Sequence, residues 1–211
     1  MTTHQARSMN KLVLATGNSG KLKELQSLVQ PLNIEVISQR SLAISDAEET
    51  GLSFVENALI KARHAAAASG LPALADDSGL CVDVLHGSPG IYSARYAGPG
   101  SSDDANNRLL LQNLLPFRGT EVPLTARFVC VLALVRHAED PMPLICQGIW
   151  EGEILPAAQG EGGFGYDPLF WVPELHASSA MLAPAVKNRV SHRGQAMNDL
   201  LKQLQLTRRT G

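Results

Sequence analysis

The chain has 211 residues, of which 45% are hydrophobic and 18% are charged, and this composition is typical of a soluble globular protein with a sizeable core. The formal net charge of −2 gives no electrostatic reason to expect a nucleic-acid polymer as a partner. The three cysteines, Cys81, Cys130 and Cys146, are too few for a disulfide framework and predict reduced core side chains.

The N-terminal stretch 1–10 is polar and contains no hydrophobic segment of the kind that a signal peptide carries. We expect it to be a loose tail that precedes one domain over residues 11–211. No apolar run elsewhere reaches the length of a membrane span. The sequence therefore favours a cytoplasmic protein without membrane contact.

Strands and helices alternate in the first part of the chain. "KLVLA" at 11–15 predicts a strand, "TGNSGK" a turn into a helix, and "IEVIS" at 34–38 a second strand. Ser53 followed by Glu56 is typical of a capping box, and it predicts a helix that ends at Gly70. A third strand then leads from Pro72 towards Asp76 and Asp77.

The second part is richer in strands. Ser102 and the acidic pair after it predict the start of a helix that runs through Leu115. Two long strands follow, at 126–137 and 144–155, and then a glycine-rich loop, a polar stretch and a last helix from about Gly194 to Leu206. Because helices alternate with strands around one β-rich interval, the pattern predicts a mixed α/β fold.

The first candidate motif is "ATGNSGK", a glycine-rich turn between a strand and a helix. Free backbone N–H groups at a helix N-terminus beside Lys21 would form a cradle for phosphate. It is not a Walker A loop, since Ala15 stands at the first glycine position and Leu22 where a hydroxyl would bind magnesium. The alternative is a structural turn with a solvated lysine.

Two further stretches carry charged groups. Glu48 and Glu49 precede the second predicted helix, and Asn57 and Lys61 share one of its faces, although a solvated face would explain each residue taken singly. In "ADDSGL", two carboxylates follow a buried strand, and this favours a magnesium site. The alternative there is an Asx-turn capped by Asp76.

The fourth stretch combines "GGFGYDPLF" with "KNRVSHRGQA". A turn exposes Phe164 between two glycines, in a position that suits stacking on a base better than core packing. Lys187, His192 and Arg193 add hydrogen-bond donors. The alternative is an aromatic residue that covers the sheet edge, with Ser191 as the N-cap of the last helix.

Together these stretches resemble the inosine triphosphate pyrophosphatase family, also called dITP/XTP pyrophosphatases, in its bacterial form. The resemblance covers about residues 11–205 and includes "LVLATGNSGKLKEL", "AEETGLSFVENALIKARHA", "ALADDSGLCVDVLHGSPGIYSARYAG", "GGFGYDPLF" and "SHRGQA". It implies a homodimer in which two lobes surround a long twisted mixed sheet, with the active site in the cleft between them. It also implies magnesium-dependent hydrolysis of dITP, ITP and XTP to the monophosphate and pyrophosphate. Such an enzyme keeps deaminated purines out of DNA and RNA.

The resemblance assigns roles by motif. It makes Asp77 the proton acceptor and gives Glu49 and Asp77 to the metal. The substrate contacts that it implies are Thr16, Gly17, Asn18, Ser19, Gly20, Lys21, Lys61, Ser78, Phe164, Gly165, Tyr166, Asp167, Lys187, His192 and Arg193.

One segment departs from the family. Relatives usually carry acidic residues before the lysine of the SHR motif, whereas "SSAMLAPAVKNRVSHR" contains none. We therefore expect Lys187 to lack an anionic partner in the free protein and to act only through bound substrate.

Two other functions compete with this one. The Maf-like nucleotide pyrophosphatases begin with a Ser-rich, Arg-containing turn, where this chain has "TGNSGK". A catalytically silent nucleotide-binding regulator is the second, and the presence of Asp77 and Glu49 argues against it.

Overall fold

The computed structural model describes residues 9–16, 26 and 29–209, with side chains described as far as residue 206. Most of the first predicted helix, and all but Thr16 of the predicted phosphate cradle, lie outside these residues. The strands are β1 Lys11–Leu14, β2 Glu35–Ser38, β3 Ala73–Val82, β4 Thr125–Val135, β5 Leu144–Ile154, β6 Phe170–Val172 and β7 Ala177–Ser178.

The strands form one seven-stranded sheet in the order β2-β1-β3-β4-β5-β6-β7. Strand β1 runs parallel to both β2 and β3, with Leu12 opposite Val36 and Leu14 opposite Leu74. At the other end β5, β6 and β7 are antiparallel, with Trp171 opposite Ser178. The sheet is therefore mixed and open, which confirms the predicted α/β class.

The α-helices whose bounds the structure describes are α1 Phe54–Ser69, α2 Asp103–Asn113, α3 Pro184–Val190 and α4 His192–Arg209, and short 3-10 helices connect several of the elements. The predicted capping box at the start of α1 is confirmed, since Ser53 Oγ accepts from the Glu56 N–H and donates to the Glu56 carboxylate. Gly70 ends this helix in the left-handed conformation at φ 67°. Ser102 caps α2 in the same way as Ser53, by accepting from the Ala105 N–H.

Two compact units make up the chain, and each has its own core. Unit 1 combines residues 1–77, 131–147 and 196–211. Four alanines of α1 are buried, namely Ala58, Ala62, Ala65 and Ala66, and so is the whole second half of β4. Unit 2 combines residues 78–130 and 148–195 and is centred on a cluster of Phe128, Trp150 and Phe170. No helix among the described residues is long and apolar enough to cross a bilayer.

Two expectations about the elements are wrong. Strand β3 does not end at the acidic pair but continues through it to Val82, so neither an end-of-strand position nor an Asx-turn describes Asp76. No strand or helix was predicted between the glycine-rich loop and the last helix, whereas β6, β7 and α3 lie there. Helix boundaries shift by a residue or two: α2 ends at Asn113, and α4 begins at His192.

Candidate active site

Unit 1 contains a cluster of three charged side chains, which we call the lysine–carboxylate cluster: Glu49, Lys61 and Asp77. The Lys61 ammonium lies on α1 and donates to Glu49 Oε1 at 2.7 Å and to Asp77 Oδ1 at 2.8 Å. Their side chains are largely removed from solvent, with exposed fractions of 23%, 17% and 10% for Glu49, Lys61 and Asp77. The solvated-face interpretation of Lys61 is therefore wrong.

The local sequence explains how Glu49 reaches Lys61. The Gly51 N–H donates to Asn57 Oδ1 at 2.8 Å, and this bond ties the segment before α1 to a fully buried side chain of that helix. A Cβ at position 51 would lie 2.6 Å from Glu56 Cβ and 2.8 Å from Asn57 Oδ1, closer than such atoms can approach. Only glycine fits there, and Asn57 is a structural anchor and not part of a solvated face.

Burial and the neighbouring opposite charges shift the pKa values of Lys61 and Asp77 in opposite directions. Burial raises the pKa of the Asp77 carboxyl, and the Lys61 ammonium only partly offsets this, so the pKa stays above its usual value. Burial by itself would lower the pKa of Lys61, but Asp77 and Glu49 outweigh it and raise the pKa instead.

The cluster fits a magnesium ion on two grounds. Asp77 Oδ2 is buried and has no hydrogen-bond partner among the described residues, although an unpaired buried carboxylate oxygen is costly. The cluster also has two carboxyl groups for one ammonium, and this excess of acidic side chains favours a further cation. No group of three His, Cys, Asp or Glu side chains that could hold a metal unaided occurs in the described ranges. Magnesium suits such a sparse set, because it takes one or two carboxylates and completes its shell with waters and substrate phosphates.

The second candidate cluster lies in unit 2 around Phe164, and we call it the aromatic–cation cluster. The Phe164 ring is 62% exposed, as its position between two glycines predicts. The Lys187 ammonium lies 5.3 Å and the Arg193 guanidinium 5.6 Å from the centroid of this ring. An exposed aromatic face beside two cations is suited to a flat, electron-rich ligand.

Asp167 holds this cluster together. Its Oδ2 accepts from the Phe164 N–H at 2.8 Å and from the Lys187 ammonium, and its Oδ1 accepts from Ser179 Oγ at 2.7 Å. The expectation that Lys187 lacks an anionic partner is therefore wrong. The partner is Asp167, which precedes Lys187 by 20 residues, and not an acid in the segment directly before it.

The SHR motif joins α3 to α4. Ser191 Oγ accepts from the Gly194 N–H at 3.2 Å, so the predicted capping role of Ser191 is confirmed. The His192 ring stacks on Phe128 with centroids 4.8 Å apart. Arg193 Nε is buried and finds no hydrogen-bond partner in the part of the chain that the structure describes. An unsatisfied donor therefore lies beside the exposed Phe164 ring.

The remaining predicted site residues are less informative. Gly17, Asn18, Ser19, Gly20 and Lys21 lie outside the described residues. Ser78 is half-buried in β3, directly after Asp77. The Tyr166 side chain is buried, its hydroxyl donates to the Ser93 carbonyl at 2.8 Å, and burial raises its pKa. A substrate contact from Tyr166 stays a prediction, and it would have to use the backbone.

Two residues that support the candidate clusters were not predicted from the sequence, Gly51 and Ser179. Gly51 was not singled out, although a glycine two residues before a capping box is compatible with a tight approach to the helix. Ser179 was also missed, and no motif marks it: its hydroxyl reaches Asp167 because β6, β7 and the turn after them fold back onto the glycine-rich loop.

The open mixed sheet carries a lysine–carboxylate cluster that suits a cation and an aromatic–cation cluster that suits a flat, electron-rich ligand, and together these features define an α/β protein with two candidate ligand-binding clusters. A protein-family model described as the Ham1 family matches residues 12–203. The chain therefore belongs to the Ham1 family.

Individual relatives agree with this assignment. The chain is 58% identical over 207 residues to a protein of Acinetobacter baumannii named dITP/XTP pyrophosphatase, with 97% of this chain and 100% of the relative covered. It is 58% identical over 203 residues to a protein of the same name from Pseudomonas syringae pv. tomato, with 94% and 99% covered. A solved structure of a HAM1 protein from Coxiella burnetii matches with a TM-score of 0.90 at 48% identity and covers 93% of this chain and 99% of that one.

Proposed function

We propose that this protein hydrolyses dITP, ITP and XTP to the nucleoside monophosphate and pyrophosphate. Relatives that match nearly the whole chain carry the name dITP/XTP pyrophosphatase. The observation that carries the proposal is the buried Asp77 carboxylate, which is paired with Lys61 through one oxygen and has no partner at the other among the residues that the structure describes. Such a group is available to bind a cation or to accept a proton.

Asp77 acts on the attacking water. Hydrolysis between the α and β phosphates requires water at the α-phosphorus, with pyrophosphate leaving in line. Asp77 orients this water and accepts its proton, and a pKa raised by burial makes the carboxylate a better base than an exposed aspartate. Lys61 keeps this carboxylate ionised and in place, and it adds positive charge against the phosphates.

We assign magnesium to Glu49 and Asp77. When bound, it would neutralise phosphate charge and so lower the repulsion that an attacking oxygen meets. The predicted cradle, Thr16 to Lys21, would add backbone N–H groups and a second lysine on the phosphates.

The aromatic–cation cluster recognises the base. Phe164 stacks on the purine, and His192 and Arg193 donate to the oxygen at position 6. Adenine carries an amino group at that position and would leave both donors unpaired, a loss of a few kcal/mol. The buried, unsatisfied Arg193 Nε supports this assignment, because a ligand acceptor would satisfy it.

In the cell the enzyme would remove deaminated nucleotides from the precursor pool and so prevent their incorporation into DNA and RNA. We propose that it does so in the cytoplasm as a homodimer, without a nucleic-acid or membrane partner.

The test is product analysis. Purified protein is incubated with ITP and magnesium, and the products are separated; we expect IMP and pyrophosphate, whereas IDP and phosphate would refute attack at the α-phosphorus. A panel of ITP, XTP, ATP and GTP then tests base choice, with ATP expected to be hydrolysed more slowly by a factor of about 100. Tight binding of ITP without turnover would instead identify a nucleotide-binding regulator.

A further inference from the structure

The turn that presents Phe164 is held from outside by helix α2. Asp103 Oδ2 accepts from the Gly165 N–H at 2.6 Å, and Asn107 Nδ2 donates to the Gly165 carbonyl at 2.9 Å. Both polar groups of one backbone residue are thus bound by side chains that lie four positions apart on a helix and share one face. We call this pair the Gly165 clamp.

The clamp is not a by-product of helix capping. Ser102 already caps α2 by accepting from the Ala105 N–H, so the Asp103 carboxylate is not needed at its own helix terminus. Gly165 has φ 61°, a left-handed conformation that glycine adopts without strain, and this conformation turns its N–H and carbonyl towards α2.

The Gly165 clamp lies next to Phe164, the residue that is proposed to stack on the purine base. Phe164 is fixed on its own N–H by Asp167 and on its C-terminal side by the clamp, while its ring stays largely exposed. An aromatic ring whose backbone is fixed before the ligand arrives loses little freedom on binding, and this strengthens stacking.

We propose that Asp103 and Asn107 are positioning residues that fix the direction of the Phe164 ring and so set the affinity for the purine base. This inference deepens the proposed function and rests on it, since Phe164 is taken to stack on the base. Neither residue contacts the reacting phosphates in this assignment, so their loss affects KM and leaves kcat near its normal value.

The experiment compares KM for ITP in the wild-type protein, Asp103→Ala, Asn107→Ala and the double variant. We expect KM to rise about tenfold in the double variant, near the lower end of what one base–aromatic stack contributes. Asp103→Asn keeps an acceptor for the Gly165 N–H and should restore a KM near that of the wild type. Asp104→Ala removes the neighbouring acid of the same helical turn and serves as the matched control, with KM unchanged.

A mutant cycle with Phe164→Ala separates positioning from general damage. If the clamp acts through the ring, adding Asp103→Ala and Asn107→Ala to Phe164→Ala leaves KM where Phe164→Ala alone puts it. A further rise in KM in that background, or an unchanged KM in the clamp variants of the active enzyme, overturns the inference. A wild-type protein that does not hydrolyse ITP refutes the proposed function itself, and the inference about the Gly165 clamp is then refuted as well.

Discussion

Replacing Asp167 by asparagine should destabilise the protein even in the absence of substrate. The side chain is 4% exposed and receives three hydrogen bonds, from the Phe164 N–H, from Ser179 Oγ and from the Lys187 ammonium. Asparagine keeps the shape and one acceptor but removes the charge, and so leaves the Lys187 ammonium beside a neutral group in a poorly solvated position.

Breaking one side of a buried ion pair costs about 3–5 kcal/mol. Lys187 keeps 18% of its side chain exposed, which gives the ammonium some access to water, so we take the lower end of that range, about 3 kcal/mol. For a chain of this length about 1 kcal/mol corresponds to 2–4 °C, so the melting temperature should fall by about 6–12 °C.

Urea denaturation and thermal melting of the apo protein measure this effect. Lys187→Met should also destabilise, and the double variant Asp167→Asn, Lys187→Met should lose less than the sum of the two single changes. Glu35→Gln, which breaks an exposed pair with Lys11, is the control and should cost under about 0.5 kcal/mol. If Asp167→Asn stays within about 1 kcal/mol of the wild type, the buried-pair reasoning is refuted.

Four further changes test other parts of the structure. Asp77→Asn should lower kcat for ITP by about two orders of magnitude, the usual scale for loss of a general base, as measured by pyrophosphate release. Gly51→Ala should destabilise by about 1–3 kcal/mol and raise the magnesium concentration needed for activity, because the new Cβ displaces the segment that carries Glu49. Asp140 is 1% exposed, and hydrogen bonds from the Arg136 guanidinium hold its pKa well below its usual range; Asp140→Asn should therefore cost about 2 kcal/mol at pH 7. Lys61→Met should lower the stability of the metal-free protein and increase its stabilisation by magnesium.

A specific result would contradict the prediction for each of Asp77→Asn, Gly51→Ala and Asp140→Asn. Near-normal turnover by Asp77→Asn would remove that carboxylate from the chemistry. An unchanged melting temperature for Gly51→Ala would show that the close approach is not tight. The pKa of Asp140 is lower in the folded than in the unfolded protein. The ionised carboxylate therefore contributes its full stabilisation above the unfolded-state pKa of about 3.9, and this stabilisation is lost as the pH falls through the folded-state pKa. The stability gap to Asp140→Asn should thus narrow only below about pH 4, and narrowing near pH 6 would contradict the assignment.

Features that depend on neighbouring residues were predictable from the sequence. The pairing of a buried charge with a residue far away in the sequence was not. The capping box at Ser53 and the exposure of Phe164 depend on neighbours within four residues, and both are as predicted. The acidic pair was predicted to lie at the end of its strand, and a buried carboxylate is costly unless it is paired. The strand instead continues to Val82, and Lys61, on another element and 16 residues away, offsets the cost of burying Asp77.

The error at Lys187 has the same origin. The segment directly before Lys187 does lack acidic residues, but the groups around a side chain in the folded protein also come from distant parts of the sequence. Strands β6 and β7 and the turn after them bring the glycine-rich loop against α3, and Asp167 then supplies the negative charge.

The Lys61 prediction follows from the charge of the lysine–carboxylate cluster. With the ammonium present, Glu49 and Asp77 are held 2.7 Å and 2.8 Å from one cation; without it, two poorly solvated carboxylates face each other and the apo protein should lose about 3 kcal/mol. The same loss makes the site more attractive to a divalent cation, and magnesium at about 100 times its dissociation constant would restore about 2.7 kcal/mol. Melting curves with and without magnesium, on Lys61→Met and on the surface control Lys11→Met, measure both effects without reference to activity. A magnesium shift no larger in Lys61→Met than in the wild type would mean that Glu49 and Asp77 do not form the cation site.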